Sequence, residues 1–231
     1  MSKQELPLRP GDGLGRLHAV LFDVDGTLID TTELIGRGLQ EVIRAHRGIA
    51  PDYARCVELI GRPLAYQMEV LAGGDTAPLI ADFIRFYETN RDLERVITPA
   101  VDLVRLAAGL QLQVGVVTSK NHEEWANSLS RLGLDGLLGT VVCADDTRRG
   151  KPAPDPILAA LERLGVAAGD TLYIGDTEYD MQAGREAGVL TGAAAWAAAH
   201  PERMRPWQPD FWFDDPGQAA DAIRRLACRT L

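Results

Sequence analysis

Four apolar residues, Ala19-Val20-Leu21-Phe22, run straight into Asp23-Val24-Asp25-Gly26-Thr27-Leu28-Ile29-Asp30. The apolar run has the length of a buried strand, and Gly26 permits a sharp turn directly after it. In open α/β sheets, ligands bind beside the carboxyl ends of strands, and this strand delivers two carboxylates there. Asp23 and Asp25 are two residues apart, so a regular strand would place both side chains on one face. One carboxylate can then attack an electrophile while the other moves a proton, first to the leaving group and then from water. Together they concentrate negative charge that a hard cation such as Mg²⁺ would offset. An acidic turn closing a buried strand uses the same Asp-x-Asp-Gly residues. The twelve-residue stretch is far more specific than that tetrad.

Downstream, the pattern changes to helix. Leu34, Leu39, Val42 and Ile43 recur at helical offsets across 33–47, and Gly48 can end that helix. Further helical stretches are expected from Asp52, a candidate N-cap, to Gly61, then over 64–71 and 77–93. No convincing strand is read between 33 and about 95. Strands are expected at 113–117, 139–144, 171–174, 189–195 and 211–213. Helices are expected at 99–108, from the Asn121 N-cap to 132, and at 150–164, 179–187 and 216–226. Strands alternating with helices imply an α/β protein with a doubly wound parallel sheet. The expected organisation is a lead-in at 1–17, a core of 18–31 with 98–231, and an inserted helical cap at 32–97 over the active edge of the sheet.

The 231 residues, 46% hydrophobic, suit one core with room for a small second domain. A net charge of −9 argues against a nucleic-acid-binding surface. An anionic substrate would therefore need a local positive patch and a metal. Cys56, Cys143 and Cys228 lack metal-ligand spacing and read as reduced thiols. No apolar run approaches a membrane span, and residues 1–15 hold no hydrophobic signal core. The expectation is a cytoplasmic monomer or homodimer with no membrane or nucleic-acid partner.

Four strand ends deliver a further constellation. Asp23 and Asp25 come from the first, Thr118 from the second and Asp176 with Asp180 from the fourth, while Lys151 lies just beyond the third. Phosphoryl transfer to a carboxylate needs donors on the equatorial oxygens and cations against the charge. Thr118 supplies a hydroxyl, the N–H groups of Ser119, Val24 and Asp25 could add donors, and Lys151 supplies a fixed positive charge. Taken singly, Thr118 could simply close a strand, Lys151 could be a solvated lysine at a helix start, and Asp180 could be a surface charge.

Together these residues resemble the haloacid dehalogenase-like hydrolase superfamily, specifically phosphatases of the phosphoglycolate phosphatase and β-phosphoglucomutase type. The stretch 23–31 is similar to the family's first motif. Thr118 occupies the Ser/Thr position of the second motif, and Gly150-Lys151-Pro152-Ala153-Pro154 lies close to the third. Gly175-Asp176-Thr177-Glu178-Tyr179-Asp180 matches the fourth, Gly-Asp-Thr-x-x-Asp. The resemblance implies that Asp23 is a nucleophile forming an aspartyl-phosphate and that Asp25 is the general acid and base. It also implies Mg²⁺ held by Asp23, the Asp25 carbonyl and Asp176, with Asp180 either a ligand through water or an orienter of Lys151. Asp25 argues against the dehalogenases and phosphonate-cleaving members, which lack it. Gly61-Arg62-Pro63 falls where this subclass has a substrate-specificity loop, so Arg62 is a candidate contact for the substrate, with Arg37 and Arg91 weaker ones. The expected activity is hydrolysis of a small phosphomonoester, of phosphoglycolate or sugar phosphate type, with inorganic pyrophosphate ranked below these. The alternatives are a sugar phosphomutase and a catalytically idle binding protein on the same fold. Two departures stand out. Pro99-Ala100 replaces the more usual Pro-Gly, and 193–207, rich in Ala and Trp, lacks the customary glycines.

Overall fold

The structure is a computed structural model that describes residues 16–60, 62 and 64–228. The lead-in up to residue 15, and Gly61 and Pro63 of the expected specificity loop, lie outside the described residues. Contacts divide the chain into two units, Met1–Leu28 with Val96–Leu231, and Ile29–Arg95.

The first unit is built on a parallel sheet. Its strands are β1 (Ala19–Phe22), β4 (Gln113–Val117), β5 (Thr140–Val142), β6 (Thr171–Gly175), β7 (Leu190–Ala194) and β8 (Phe211–Phe213), in the order β5-β4-β1-β6-β7-β8. All of β1 is buried, as its unbroken apolar run requires of a central parallel strand. Phe22 pairs with Val116 of β4 on one side and Ile174 of β6 on the other. The residues that follow, Asp23, Thr118 and Asp176, therefore leave the sheet along one edge. Strand order reverses at β1, because the chain runs outward through β4 and β5 and then outward again through β6, β7 and β8. This is where a doubly wound sheet opens a crevice. Right-handed crossovers in opposite directions place α6 (His122–Leu132) and α8 (Glu178–Ala187) on opposite faces. Helices α7 (Asp155–Leu164) and α8 cover one side, with Ile157, Ala160 and Ala183 packed on Leu21, Val117, Val142 and Tyr173. Helices α5 (Thr98–Gly109) and α9 (Pro216–Ala227) pack as a second pair.

The second unit is helical. It contains α1 (Thr32–Arg47), α2 (Tyr53–Glu58), α3 (Leu64–Ala72) and α4 (Ala77–Thr89). Leu39, Val42, Ile43, Cys56, Met68, Leu79 and Phe83 form its core. The Asp52 side chain caps α2 by accepting from the Ala54 N–H at 2.7 Å. The two segments that link the units, β2 (Ile29–Asp30) and β3 (Arg95–Val96), pair with each other. Strands of two residues carry no period, which is why the sequence pattern does not reveal them.

Four expected boundaries move. Helix α2 ends at Glu58 rather than near Gly61. Helix α4 stops at Thr89, where the Asn90 side-chain amide donates to the Phe86 carbonyl, and a separate 3-10 turn follows at Arg91–Leu93. Strand β5 is shorter than 139–144, because a 3-10 turn over Ala144–Asp146 takes over after Cys143. Helix α7 begins at Asp155 rather than near 150. Pro152 and Pro154 push the residues before them away from helical dihedrals, so Lys151 lies in a turn ahead of the helix. Among the described residues no helix is long and apolar enough to cross a membrane.

Candidate active site

Asp23 extends β1 by one more ladder bond, its N–H donating to the Ile174 carbonyl at 2.9 Å. Its buried carboxylate meets the Lys151 ammonium at 2.8 Å. Lys151 is itself only 6% exposed, so it is not a solvated lysine at a helix start. The same ammonium lies 2.7 Å from Asp180, which is completely buried. Asp180 accepts from three further donors, the Tyr173 hydroxyl at 2.7 Å, the Thr177 N–H at 3.0 Å and the Thr177 hydroxyl at 2.6 Å. Thr177 and Asp180 cap each other at the start of α8, since the Asp180 N–H also donates to the Thr177 hydroxyl. Both Asp180 oxygens are thus engaged, and the carboxylate anchors Lys151 against Asp23. Gly175 makes this approach possible, because a Cβ there would lie 2.5 Å from Asp180 Cγ.

Asp25 faces a different lysine. Regular β1 ends at Phe22, so the rule placing residues two apart on one face of a strand does not govern this pair. The Asp25 carboxylate instead lies 2.9 Å from Lys120, which follows β4 and is 4% exposed. Thr118 is buried, and its hydroxyl accepts from the Lys120 N–H at 3.1 Å. Its own N–H is committed to the Val142 carbonyl at 3.0 Å, while Ser119 is exposed. The chain then turns at Gly26, whose φ of +75° suits glycine. A Cβ there would meet Asp176 Oδ2 at 2.0 Å, so the missing side chain is the space that Asp176 fills. The Thr27 hydroxyl donates to Asp176 at 3.2 Å. On the other side of the turn, the Trp196 indole N–H donates to the Thr27 carbonyl at 3.0 Å. Trp196 comes from the Ala- and Trp-rich stretch after β7, so the segment without the usual glycines supports the turn that carries Asp25.

The charges do not balance within this cluster. Asp23, Asp176 and Asp180 bring carboxylate oxygens within 4.8 Å of one another, and one ammonium, Lys151, bridges two of them. Burial pushes Asp23 up to about 7; Lys151 counteracts this, and Asp180 and Asp25 add to it. Burial and the charges of Asp180 and Asp23 raise Asp176 well above the carboxylate range. Burial alone would also raise Asp180, but the Lys151 charge and the hydrogen bonds from Lys151, Thr177 and Tyr173 outweigh it and hold Asp180 below its usual value. Asp180 therefore keeps its charge, and Asp23 and Asp176 compete for a proton or a cation. A hard divalent cation fits oxygen donors of this kind, and Asp23 and Asp176 are the two carboxylates whose ionised forms it would stabilise.

A sequence profile for haloacid dehalogenase-like hydrolases matches residues 20–194, most of the chain. The chain belongs to that family. An N-acetylmuramic acid 6-phosphate phosphatase from Pseudomonas aeruginosa is 33% identical over 92% of this chain and 97% of its own length. A pyrophosphatase PpaX from Bacillus velezensis is 30% identical over 86% of this chain and 93% of its own. A haloacid dehalogenase-like family protein from Streptococcus pneumoniae shares the fold with a TM-score of 0.80 at 20% identity, covering 90% of this chain and 98% of that one. Motifs and relatives together class the chain as a phosphatase-type member of the haloacid dehalogenase-like hydrolases. In this hydrolase the expected residues Asp23, Asp25, Thr118, Lys151, Asp176 and Asp180 all lie in the first unit, and Arg62, in the second, has its N–H bonded to the Leu59 carbonyl and its own carbonyl to the Gln67 amide. Sequence reasoning passed over Lys120, Tyr173, Thr177 and Trp196. Thr177 was legible as a Thr-x-x-Asp cap, whereas Lys120 lies beyond the end of β4, where strand alternation gives no signal. Tyr173 sits in an apolar run and Trp196 in an irregular segment, where pattern carries no signal.

Proposed function

We propose that this protein is a Mg²⁺-dependent phosphatase for a small phosphomonoester, acting through an aspartyl-phosphate on Asp23. The observation that carries this reading is the buried pairing of Asp23 with Lys151, which leaves a carboxylate with a partly neutralised approach at the crevice of the sheet. An anionic phosphate is repelled by a bare carboxylate, and the Lys151 ammonium at 2.8 Å offsets that repulsion. Asp23 and Asp176, with the carbonyl of Asp25, would hold the cation, which when bound supplies charge stabilisation to the phosphoryl oxygens.

In the proposed reaction an Asp23 oxygen attacks phosphorus in line. The bond from phosphorus to the leaving oxygen breaks, and Asp25 gives that oxygen a proton. Asp25 then takes a proton from a water as the water attacks phosphorus, which releases the Asp23 carboxylate and inorganic phosphate. Thr118 donates its hydroxyl to an equatorial oxygen, and Asp180 keeps Lys151 in place throughout.

The test is phosphate release with Mg²⁺ from a panel that includes phosphoglycolate, sugar phosphates, N-acetylmuramic acid 6-phosphate and pyrophosphate. Wild-type turnover that disappears in Asp23→Asn is the expected outcome, with the rank order naming the substrate class. Pyrophosphate belongs in the panel because pyrophosphatases occur among the relatives. Turnover surviving in Asp23→Asn would refute the assignment of the nucleophile. Phosphate transfer only in the presence of a sugar bisphosphate would move the reading to a mutase.

A further inference from the structure

We propose that His122, Cys143 and Asp145 form a binding site for a borderline-soft divalent cation such as Zn²⁺, apart from the oxygen-lined cluster of Asp23 and Asp176. The sheet brings the three residues together. Strands β4 and β5 run parallel with Val117 beside Val142, so the segments that leave them stay side by side. The Thr118 N–H donates to the Val142 carbonyl at 3.0 Å, and the Ala144 N–H donates to the Lys120 carbonyl at 2.8 Å. His122, the first residue of α6, thereby faces the 3-10 turn over Ala144–Asp146. A ring nitrogen of His122, the Cys143 sulfur and one Asp145 oxygen lie within 4.8 Å of one another. Ligand atoms stand about 2.0–2.3 Å from a zinc ion, so pairs around it are less than about 4.5 Å apart. Small side-chain movements therefore close all three around one ion. The His122 and Asp145 side chains are 57% and 51% exposed and have that freedom. Cys143 is fully buried behind the end of β5 and is the fixed member of the set.

The donor set selects the ion. A thiolate with an imidazole favours Zn²⁺ and its neighbours, whereas Mg²⁺ takes oxygen ligands. The local charge asks for a cation. Asp146, Asp145 and Glu124 face the Cys143 sulfur, and Arg163 stands against them. Burial and these acidic neighbours push the thiol up to about 12, so without a metal the sulfur keeps its proton. When the ion binds, the S–H bond breaks, the proton leaves to solvent and the sulfur electron pair goes to the metal. Two positive charges enter for the one that leaves, so the excess of negative charge falls. Asp146 supports the set from outside it. Its carboxylate accepts from the Cys143 N–H at 2.8 Å and lies 3.2 Å from the His122 ring and 3.1 Å from Arg163. It thus holds the cysteine's loop and the histidine in place, the part that outer carboxylates play at zinc sites. Three protein ligands leave the fourth position of a tetrahedral ion to water.

The experiment titrates the whole protein with Co²⁺, a spectroscopic stand-in for Zn²⁺, in excess Mg²⁺ so that the oxygen-lined cluster is occupied. No phosphatase activity is read, so the outcome is independent of the proposed reaction. The expected result is a sulfur-to-cobalt charge-transfer band in the near ultraviolet that saturates at one equivalent, with the visible bands of a four-coordinate ion, and both disappear when Zn²⁺ is added. Cys143→Ser should abolish the charge-transfer band. His122→Ala, at an exposed position, should weaken the apparent affinity at least about 10-fold, the lower end of what even an outer-shell change costs. Cys228→Ser removes an exposed thiol and should change neither band nor affinity. Circular dichroism checks that each variant is folded, and His122→Ala decides the matter if Cys143→Ser does not fold. Absence of the charge-transfer band in the wild type would overturn the proposal. So would a band that is lost in Cys228→Ser, or an affinity that His122→Ala leaves unchanged.

Discussion

Replacing Asp180 by Asn should destabilise the sheet-containing unit by about 3 kcal/mol, near the lower end of the cost of breaking a buried ion pair. Asp180 is fully buried and holds Lys151 at 2.7 Å. In the variant Lys151 keeps Asp23 at 2.8 Å, so its charge is not left without compensation, and this keeps the cost near the lower limit. Asn can still accept from Lys151 and Tyr173 through its oxygen. Its amide nitrogen cannot accept from the Thr177 N–H and hydroxyl, so the reciprocal half of the α8 capping box is lost, worth about 1 kcal/mol, while the Asp180 N–H still donates to the Thr177 hydroxyl. Relief of repulsion on Asp23 and Asp176 opposes this and offsets part of it. For a chain of this size 3 kcal/mol corresponds to a fall of roughly 6–12 °C in Tm. The assay is urea unfolding followed by tryptophan fluorescence. Trp125, Trp196, Trp207 and Trp212 all belong to the first unit, so the helical insertion does not contribute to the signal. Tyr173→Phe, which removes one of the donors to Asp180, should cost less, about 1–2 kcal/mol. A loss below about 1 kcal/mol for Asp180→Asn, well under the buried-pair range, would refute the reasoning that Asp180 is the charged anchor of Lys151.

The metal-free protein should become less stable as pH rises from about 4 to 7. Asp23 titrates near 7 when folded and near 3.8 when unfolded, so in that window the folded state binds the extra proton and ΔG of unfolding falls; Asp23→Asn should flatten the slope, as read from melting temperatures across pH. Mg²⁺ at about 100 times its Kd should raise stability by about 2.7 kcal/mol, and Asp176→Asn should abolish that increment while raising the Tm of the metal-free protein, because a buried repelled carboxylate has been removed. Gly26→Ala should nearly eliminate activity, since its Cβ would lie 2.0 Å from Asp176 Oδ2 and the φ of +75° is strained for alanine; retention of more than about a tenth of wild-type kcat/KM would argue against this, as would a loss of stability below about 1 kcal/mol. Trp196→Phe should cost about 1 kcal/mol, the value of one hydrogen bond to the Thr27 carbonyl, measured by the same urea titration with the remaining tryptophans as probe.

Much of the architecture was legible in local pattern. The buried run 19–22, the strand 113–117, the Asn121 cap and the Gly133 and Gly188 helix ends follow from periodicity and dihedral preference, which act over a few residues. The start of α7 was misread because the signal of a helix after Gly150 outweighed the two prolines that postpone it to Asp155. Of the site, the residues were legible but not their pairing. Lys151 could be placed in a motif, yet nothing local distinguishes a lysine in water from one that is 6% exposed between two carboxylates.

The sequence alone determined which chemical groups stand at the strand ends, because an apolar run followed by a polar residue specifies where a buried strand stops. It also determined the family and the insertion between the first and second long strands. Tertiary structure alone decided which charges meet. Thr27 and Asp176 are 149 residues apart, Thr27 and Trp196 169 apart, and Lys151 and Asp180 29 apart. Only parallel pairing on both sides of β1 brings them to one edge, where burial removes water and makes each carboxylate depend on its neighbours for charge compensation. That is why Asp180 serves Lys151, why Asp25 has a lysine of its own, and why neither relation is written in the spacing of the chain.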